Sequence, residues 1–113
     1  MADCLFCKIR DGKIPAKIVA ENTHAVAFRD VSPQAPTHVL VIPRKHIASL
    51  EHATADDAQL IGELHLLAQQ VAKDEKLEHG YRTIFNTGRD GGQTVFHLHL
   101  HLLGGRAMTW PAG

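Results

Sequence analysis

The sequence predicts an α+β fold: a mainly antiparallel five-stranded sheet with one long helix and one short N-terminal helix. Three observations predict it. The β-type runs are short, turn residues link them as hairpins, and a single long segment carries helical periodicity. Residues 4–11 form the short helix, with Phe6, Ile9 and Arg10 at helical spacing, closed by Gly12 and Pro15. Residues 17–21 and 24–29 read as two strands joined by a turn at Asn22-Thr23. Residues 30–37 hold two prolines and form an irregular loop. The apolar run from His38 to Pro43 is a strand buried on both faces. The long helix covers residues 55–73, with Leu60, Ile61, Leu64, Leu67, Ala68 and Val71 in one stripe. Thr54 and Asp57 resemble a capping box at its start, and Gly80 suits its exit region. Residues 82–87 form a strand, 88–92 a glycine-rich loop, and 95–103 the last strand, ended by Gly104-Gly105.

A chain of 113 residues fits one domain, 1–113. Twelve basic and 12 acidic side chains balance to zero, which leaves no electrostatic footprint for nucleic acid and argues against a membrane-surface role. The N-terminal residues lack the apolar core of a signal peptide, and no apolar run spans a bilayer, so a cytoplasmic location is expected. Cys4 and Cys7 are the only cysteines, and a disulfide between them would close a tiny loop. Metal ligation, a redox pair and two unrelated core thiols remain open for them.

Histidine stands out, with nine copies. His97, His99 and His101 alternate with Leu98, Leu100 and Leu102, so a strand would present three imidazoles on one face and three leucines to the core. Gly91-Gly92-Gln93-Thr94 precedes them and offers backbone N–H groups and a hydroxyl to phosphate oxygens. Three chemistries fit. A neutral imidazole can attack phosphorus beside a charge-stabilising neighbour. Three histidines can hold a catalytic zinc. The face can also be a solvated edge.

His97-Leu-His-Leu-His-Leu-Leu103 resembles the signature of the histidine triad superfamily. Asp30-Val-Ser-Pro-Gln-Ala-Pro-Thr-His38, Gly91-Gly-Gln-Thr94, Leu103-Gly-Gly-Arg106 and Trp110-Pro-Ala-Gly113 resemble its Hint branch, the histidine triad nucleotide-binding proteins. The resemblance implies an HIT-like fold and a purine nucleoside phosphoramidase. Substrates would be nucleoside monophosphates such as AMP bearing an amine. His99 would be the nucleophile forming a nucleotidyl-histidine, His101 its electrostatic helper, and Thr94 and His38 further catalytic groups. Asp30 would take both ribose hydroxyls. Phe6, Ile9, Phe28 and Val31 would form the base pocket, and Asn86, Gly92, Gln93 and Thr94 would line the phosphate site. In a subset of the branch Cys4, Cys7, His46 and His97 would hold a structural zinc, with no organic cofactor. The resemblance also implies a homodimer, with Trp110-Pro-Ala-Gly113 near the partner's active site. Two alternatives accompany it: a nucleotide-binding adaptor with vestigial catalysis, and a zinc hydrolase using all three histidines. His24, His52, His65 and His79 match nothing functional and are expected at the surface.

Overall fold

The computed structural model describes residues 4–113; the first three residues, on which part of the leader-peptide expectation rests, lie outside it. Helix α1 covers Leu5–Arg10. Strands β1 (Ile18–Glu21) and β2 (Ala25–Arg29) follow, then β3 (Thr37–Pro43). Helix α2 covers Ala58–Asp74, and strands β4 (Tyr81–Phe85) and β5 (Leu100–Gly104) complete the sheet. The strands make one sheet of 5, in the order β1-β2-β3-β5-β4, with every neighbouring pair antiparallel.

Alternation along the strands sorts the side chains onto two faces. Ala25 and Ala27 of β2, Val39 and Val41 of β3, and Leu100 and Leu102 of β5 pack with Leu64, Leu67, Ala68 and Val71 of α2. Val26, Phe28, Leu40 and Ile42 point the other way and meet Phe6 and Ile9 of α1. Every residue of β3 is buried because it is the central strand with a helix on each face. Leu64 is completely buried in the larger core. Leu64→Ala is expected to cost about 3 kcal/mol, read as a lowered denaturant midpoint with an unchanged slope.

The turns follow local chemistry. Asn22 Oδ1 accepts from the His24 and Ala25 backbone N–H groups, both at 2.8 Å, and so builds the β1–β2 turn. Asp57 Oδ2 accepts from the Thr54 backbone N–H at 3.0 Å, the reciprocal half of the expected capping box. A 3-10 turn at Ala55–Asp57 carries the chain into α2. The helix leaves through Lys76 in the left-handed region (φ 59), not through Gly80.

Two strand boundaries differ from expectation. The last strand is not 95–103 but begins at Leu100, and the strand predicted at 82–87 ends at Phe85. The ladders on both sides of β5 end there: β4 stops at Phe85, which pairs with Leu100, and β3, which runs on to Pro43 beside β2, pairs with β5 only as far as Val41–Leu100. Residues 95–99 therefore lie outside the sheet ladders. Their polar groups bond elsewhere: Leu98 N–H donates to Ile47 O at 2.6 Å, and the Val95 carbonyl accepts from Gln93 Nε2 at 3.0 Å.

Candidate active site and metal centre

The α1-facing side of the sheet ends in a pocket of imidazoles. Leu98, Leu100 and Leu102 all enter the α2 core, so the alternation survives although only His101 lies within the strand. His99 and His101 rings are 4.9 Å apart. Phe6 stands edge-on to His99 at 5.0 Å and to Phe28 at 5.4 Å. The β2, β3 and β5 register sets Phe28 beside Leu40 and Leu40 beside His101.

Hydrogen-bond partners fix the proton positions, because a carbonyl can only accept and an amide N–H can only donate. His99 Nδ1 lies 2.8 Å from His97 O, so Nδ1 carries the proton and Nε2 keeps its lone pair. The Gln34 backbone N–H donates to His38 Nδ1 at 3.0 Å, which places the His38 proton on Nε2. That N–H faces His101 Nδ1 at 2.9 Å, with Asp30 Oδ2 3.4 Å away. His101 therefore accepts at Nδ1 and carries its own proton on Nε2. That Nε2 is buried and has no hydrogen-bond partner among the described residues. An unmatched buried donor is costly and marks a place for an acceptor. The pocket thus holds an imidazole lone pair next to an imidazole donor.

Burial keeps these rings neutral. Desolvation lowers the pKa of His99 and His38 below the usual imidazole value. Burial, with the neighbouring His99 and His38, pushes His101 down to about 4. The nearby Asp30 opposes the shift in all three.

Asp30 follows β2 at the mouth of the pocket, and its Oδ1 accepts from Ser32 N–H at 2.8 Å. Phe6, Ile9 and Phe28 form a buried apolar wall, whereas Val31 is 97% exposed and stands on the rim. Asn86 is half-buried just beyond β4, and Thr94 is exposed. Gln93 is buried and braces the glycine-rich loop. Its Oε1 accepts from Gly88 N–H at 3.0 Å, and its Nε2 donates to Ala48 O at 2.8 Å and to Val95 O. The Gly92 N–H donates to Arg89 O and the Gln93 N–H to Gly88 O, so the loop is closed on itself. Gly91 is required there, since a Cβ would collide with the Thr87 backbone.

His97 turns away from His99 toward the N-terminus. Its Nε2–H donates to Pro43 O at 2.9 Å, leaving the Nδ1 lone pair for other work. Nδ1 lies 3.3 Å from Cys4 Sγ, 3.5 Å from Cys7 Sγ and 3.1 Å from His46 Nδ1. Cys7 Sγ is 3.5 Å from His46 Nδ1, and all 4 donor atoms lie within 4.8 Å of one another. The edges of a tetrahedral Cys2His2 zinc site run about 3.3–3.8 Å for ordinary Zn–N and Zn–S bonds. The donor set and spacing fit a metal ion. Cys4 also caps α1, its Sγ accepting from Cys7 N–H at 3.3 Å, which holds both thiols on one side. Burial pushes His97 down to about 4 and lowers His46, favouring the neutral ligand form. Asp30, His38 and His101 form a second cluster of metal-capable atoms. The Gln34 N–H occupies His38 Nδ1 and leaves its Nε2 protonated, so this group is a hydrogen-bond chain.

The structure thus brings together Phe6, Phe28, Asp30, His38, His99 and His101 on one side of His97, and Cys4, Cys7 and His46 on the other. Sequence reasoning did not find Gln34 or the His97 carbonyl, because backbone groups leave no signal in residue type. Of the remaining histidines, His52, His65 and His79 are exposed and His24 is half-buried.

Comparisons with known proteins agree with this geometry. The model of the HIT domain family matches residues 11–108. A HIT family hydrolase from Legionella pneumophila Philadelphia 1 is 54% identical, with a TM-score of 0.96, over 98% of this chain and 100% of its own. A histidine triad nucleotide-binding protein from Candida albicans is 32% identical, with a TM-score of 0.82, over 98% of this chain and 85% of its own. A Zn-bound histidine triad family protein from Mycobacterium smegmatis is 29% identical, with a TM-score of 0.83, over 93% of this chain and 76% of its own.

Proposed function

Because this chain belongs to the HIT domain family, we propose that it is a single-domain, nucleotide-binding hydrolase of the Hint branch, a purine nucleoside phosphoramidase. The observation that carries the proposal is the pairing of opposite proton states: a lone pair on His99 Nε2 beside an unpartnered N–H on His101 Nε2. A nucleophile next to a buried donor suits attack on phosphorus with stabilisation of the oxygens that gain charge.

In this mechanism the base lies against Phe6, Ile9 and Phe28, with Val31 at the rim. The Asp30 carboxylate accepts from both ribose hydroxyls. His99 Nε2 attacks the α-phosphorus, the P–N bond to the amine breaks, and the leaving nitrogen takes a proton from solvent, which the attacking water of the second step returns. His101 Nε2–H donates to a phosphoryl oxygen. Water then attacks the nucleotidyl-histidine, freeing the nucleoside monophosphate and the His99 ring. His38 holds the His101 proton state. The Thr94 hydroxyl and its loop, with Gly92, Gln93 and Asn86, flank the phosphate. Cys4, Cys7, His46 and His97 would hold a structural zinc. When bound, it would neutralise the thiolates and tie α1 to the segment bearing His99. The proposal includes a cytoplasmic homodimer built on the exposed edge strand β4, with Trp110 reaching toward the partner's pocket. Arg82 of β4 already holds the tail, donating to Thr109 O at 2.9 Å and lying 5.9 Å from the Trp110 ring centre.

The test is turnover of adenosine 5′-phosphoramidate followed by phosphorus NMR. Conversion to AMP is expected. AMP binding without conversion would identify a nucleotide-binding adaptor and overturn the hydrolase assignment. Asp30→Asn is expected to raise KM by about ten- to a hundredfold, the loss of charge-assisted hydrogen bonds. A 2′,3′-dideoxy substrate should be insensitive to the same substitution.

A further inference from the structure

We propose that Arg106 is a positioning residue for the phosphorus chemistry, acting through the Gln34 backbone and His38 to set which nitrogen of His101 carries the proton. The inference rests on the proposed role of His101 as a donor to phosphate. It concerns a residue outside the pocket, at the far end of the hydrogen-bond chain.

The His38–His101 pair has two self-consistent polarities. In one, His38 Nε2–H donates to His101 Nδ1, and His101 presents Nε2–H to the pocket. In the other, both rings move their proton to Nδ1. His101 then donates to His38, and its Nε2 presents a lone pair to the pocket. No net proton is gained or lost between them. For phosphate binding they are opposites, since the second aims a lone pair at anionic oxygens.

The Gln34 N–H breaks this symmetry. It stands 3.0 Å from His38 Nδ1 and can only donate, so a proton on Nδ1 would set two donors against each other. Asp30 Oδ2 favours the same polarity from 3.4 Å, at the edge of useful distance. The choice therefore depends on holding Gln34 in place, although Gln34 sits in an exposed loop.

Arg106 supplies the hold. Its Nε and Nη2 both donate to Gln34 O, at 3.2 and 3.0 Å. These are charge-assisted bonds from a planar fork, which resist rotation better than a single contact does. The turn before it is shaped for the task. Gly105 adopts φ 90 just after β5, and a Cβ there would come within 2.9 Å of Pro36 Cβ. The turn thus lies flat against the loop, and the guanidinium reaches across to Gln34. Pro33 and Pro36 restrict the backbone on either side of the clamped residue. Gln34 Nε2 donates to Ser32 O at 3.0 Å and further tightens the loop.

The test reads the proton positions directly. Two-bond proton–nitrogen correlation NMR on uniformly labelled full-length protein distinguishes Nδ1–H from Nε2–H for each ring. Wild type is expected to show Nε2–H on both His38 and His101. Arg106→Ala should introduce an Nδ1–H population on both rings, with kcat for the phosphoramidate reduced about tenfold and KM little changed. Arg106→Lys should restore part of both, since it supplies the charge without the fork. Arg106 is exposed, and amide spectra of the variants report that the fold is retained. Unchanged ring tautomers in Arg106→Ala would overturn the proposal, whatever happens to turnover. If wild type proves inactive on phosphoramidates, the functional assignment fails but the tautomer shift still decides this inference.

Discussion

Replacing His99 with alanine is expected to lower phosphoramidate turnover by about a thousandfold or more while leaving AMP binding nearly intact. In the proposed mechanism the ring contributes the attacking lone pair, which the His97 carbonyl keeps on Nε2. In the same proposal binding would depend mainly on Asp30 and the apolar wall of Phe6, Ile9 and Phe28, which the substitution leaves in place. The pH dependence should carry the same signature. An ordinary imidazole loses its lone pair as pH falls through about 6.5. Burial lowers the His99 pKa, so the nucleophile stays neutral, and kcat/KM should hold below that pH before it declines. The folded state responds in the same range. Because His99 and His101 are depressed in the folded protein, unfolded chains bind more protons once pH drops below about 6.5, and stability should fall from there. A decline in kcat/KM centred at the ordinary imidazole value would contradict a buried nucleophile.

Removing metal from the Cys4–Cys7–His46–His97 cluster is expected to lower Tm by about 10 °C or more, and zinc should restore it. Elemental analysis should find one zinc per chain. The four candidate ligands come from three distant segments, so metal loss would free α1 from the centre of the molecule. The consequence reaches the pocket. α1 carries Phe6, which packs on His99, and His97 supplies the carbonyl that orients His99. Cys7→Ser should reproduce the chelator effect. A metal-free protein with unchanged Tm would show that the cluster is not a structural centre.

Much of this organisation is readable in the chain. Leu98, Leu100 and Leu102 announce which way His97, His99 and His101 face, because a two-residue period leaves no other arrangement beside a core. The stripe from Leu60 to Val71 identifies α2, and the continuous apolar run of β3 identifies the central strand. The limits of β4 and β5 were not readable. They depend on where pairing between neighbouring strands ends, which is a property of the assembled sheet. Polar side chains mislead for a related reason. Gln93 lies in the loop that would flank the phosphate, yet its side-chain amide is used by Gly88, Ala48 and Val95. Val31 looks like pocket lining by residue type, yet it is exposed, because the loop after β2 turns outward at Asp30. The proton states of His38, His99 and His101 depend on backbone donors and acceptors, which no residue letter encodes.

The proposed chemistry turns on a covalent bond between His99 and phosphorus. Rapid acid-free quenching of the protein with an adenosine 5′-phosphoramidate, followed by peptide mass spectrometry, tests it directly. An adenylyl group on the peptide bearing His99, localised to that ring and absent from His99→Ala, is the expected result. Turnover to AMP with no adduct at His99 on the millisecond timescale, or an adduct localised to His101, would contradict it.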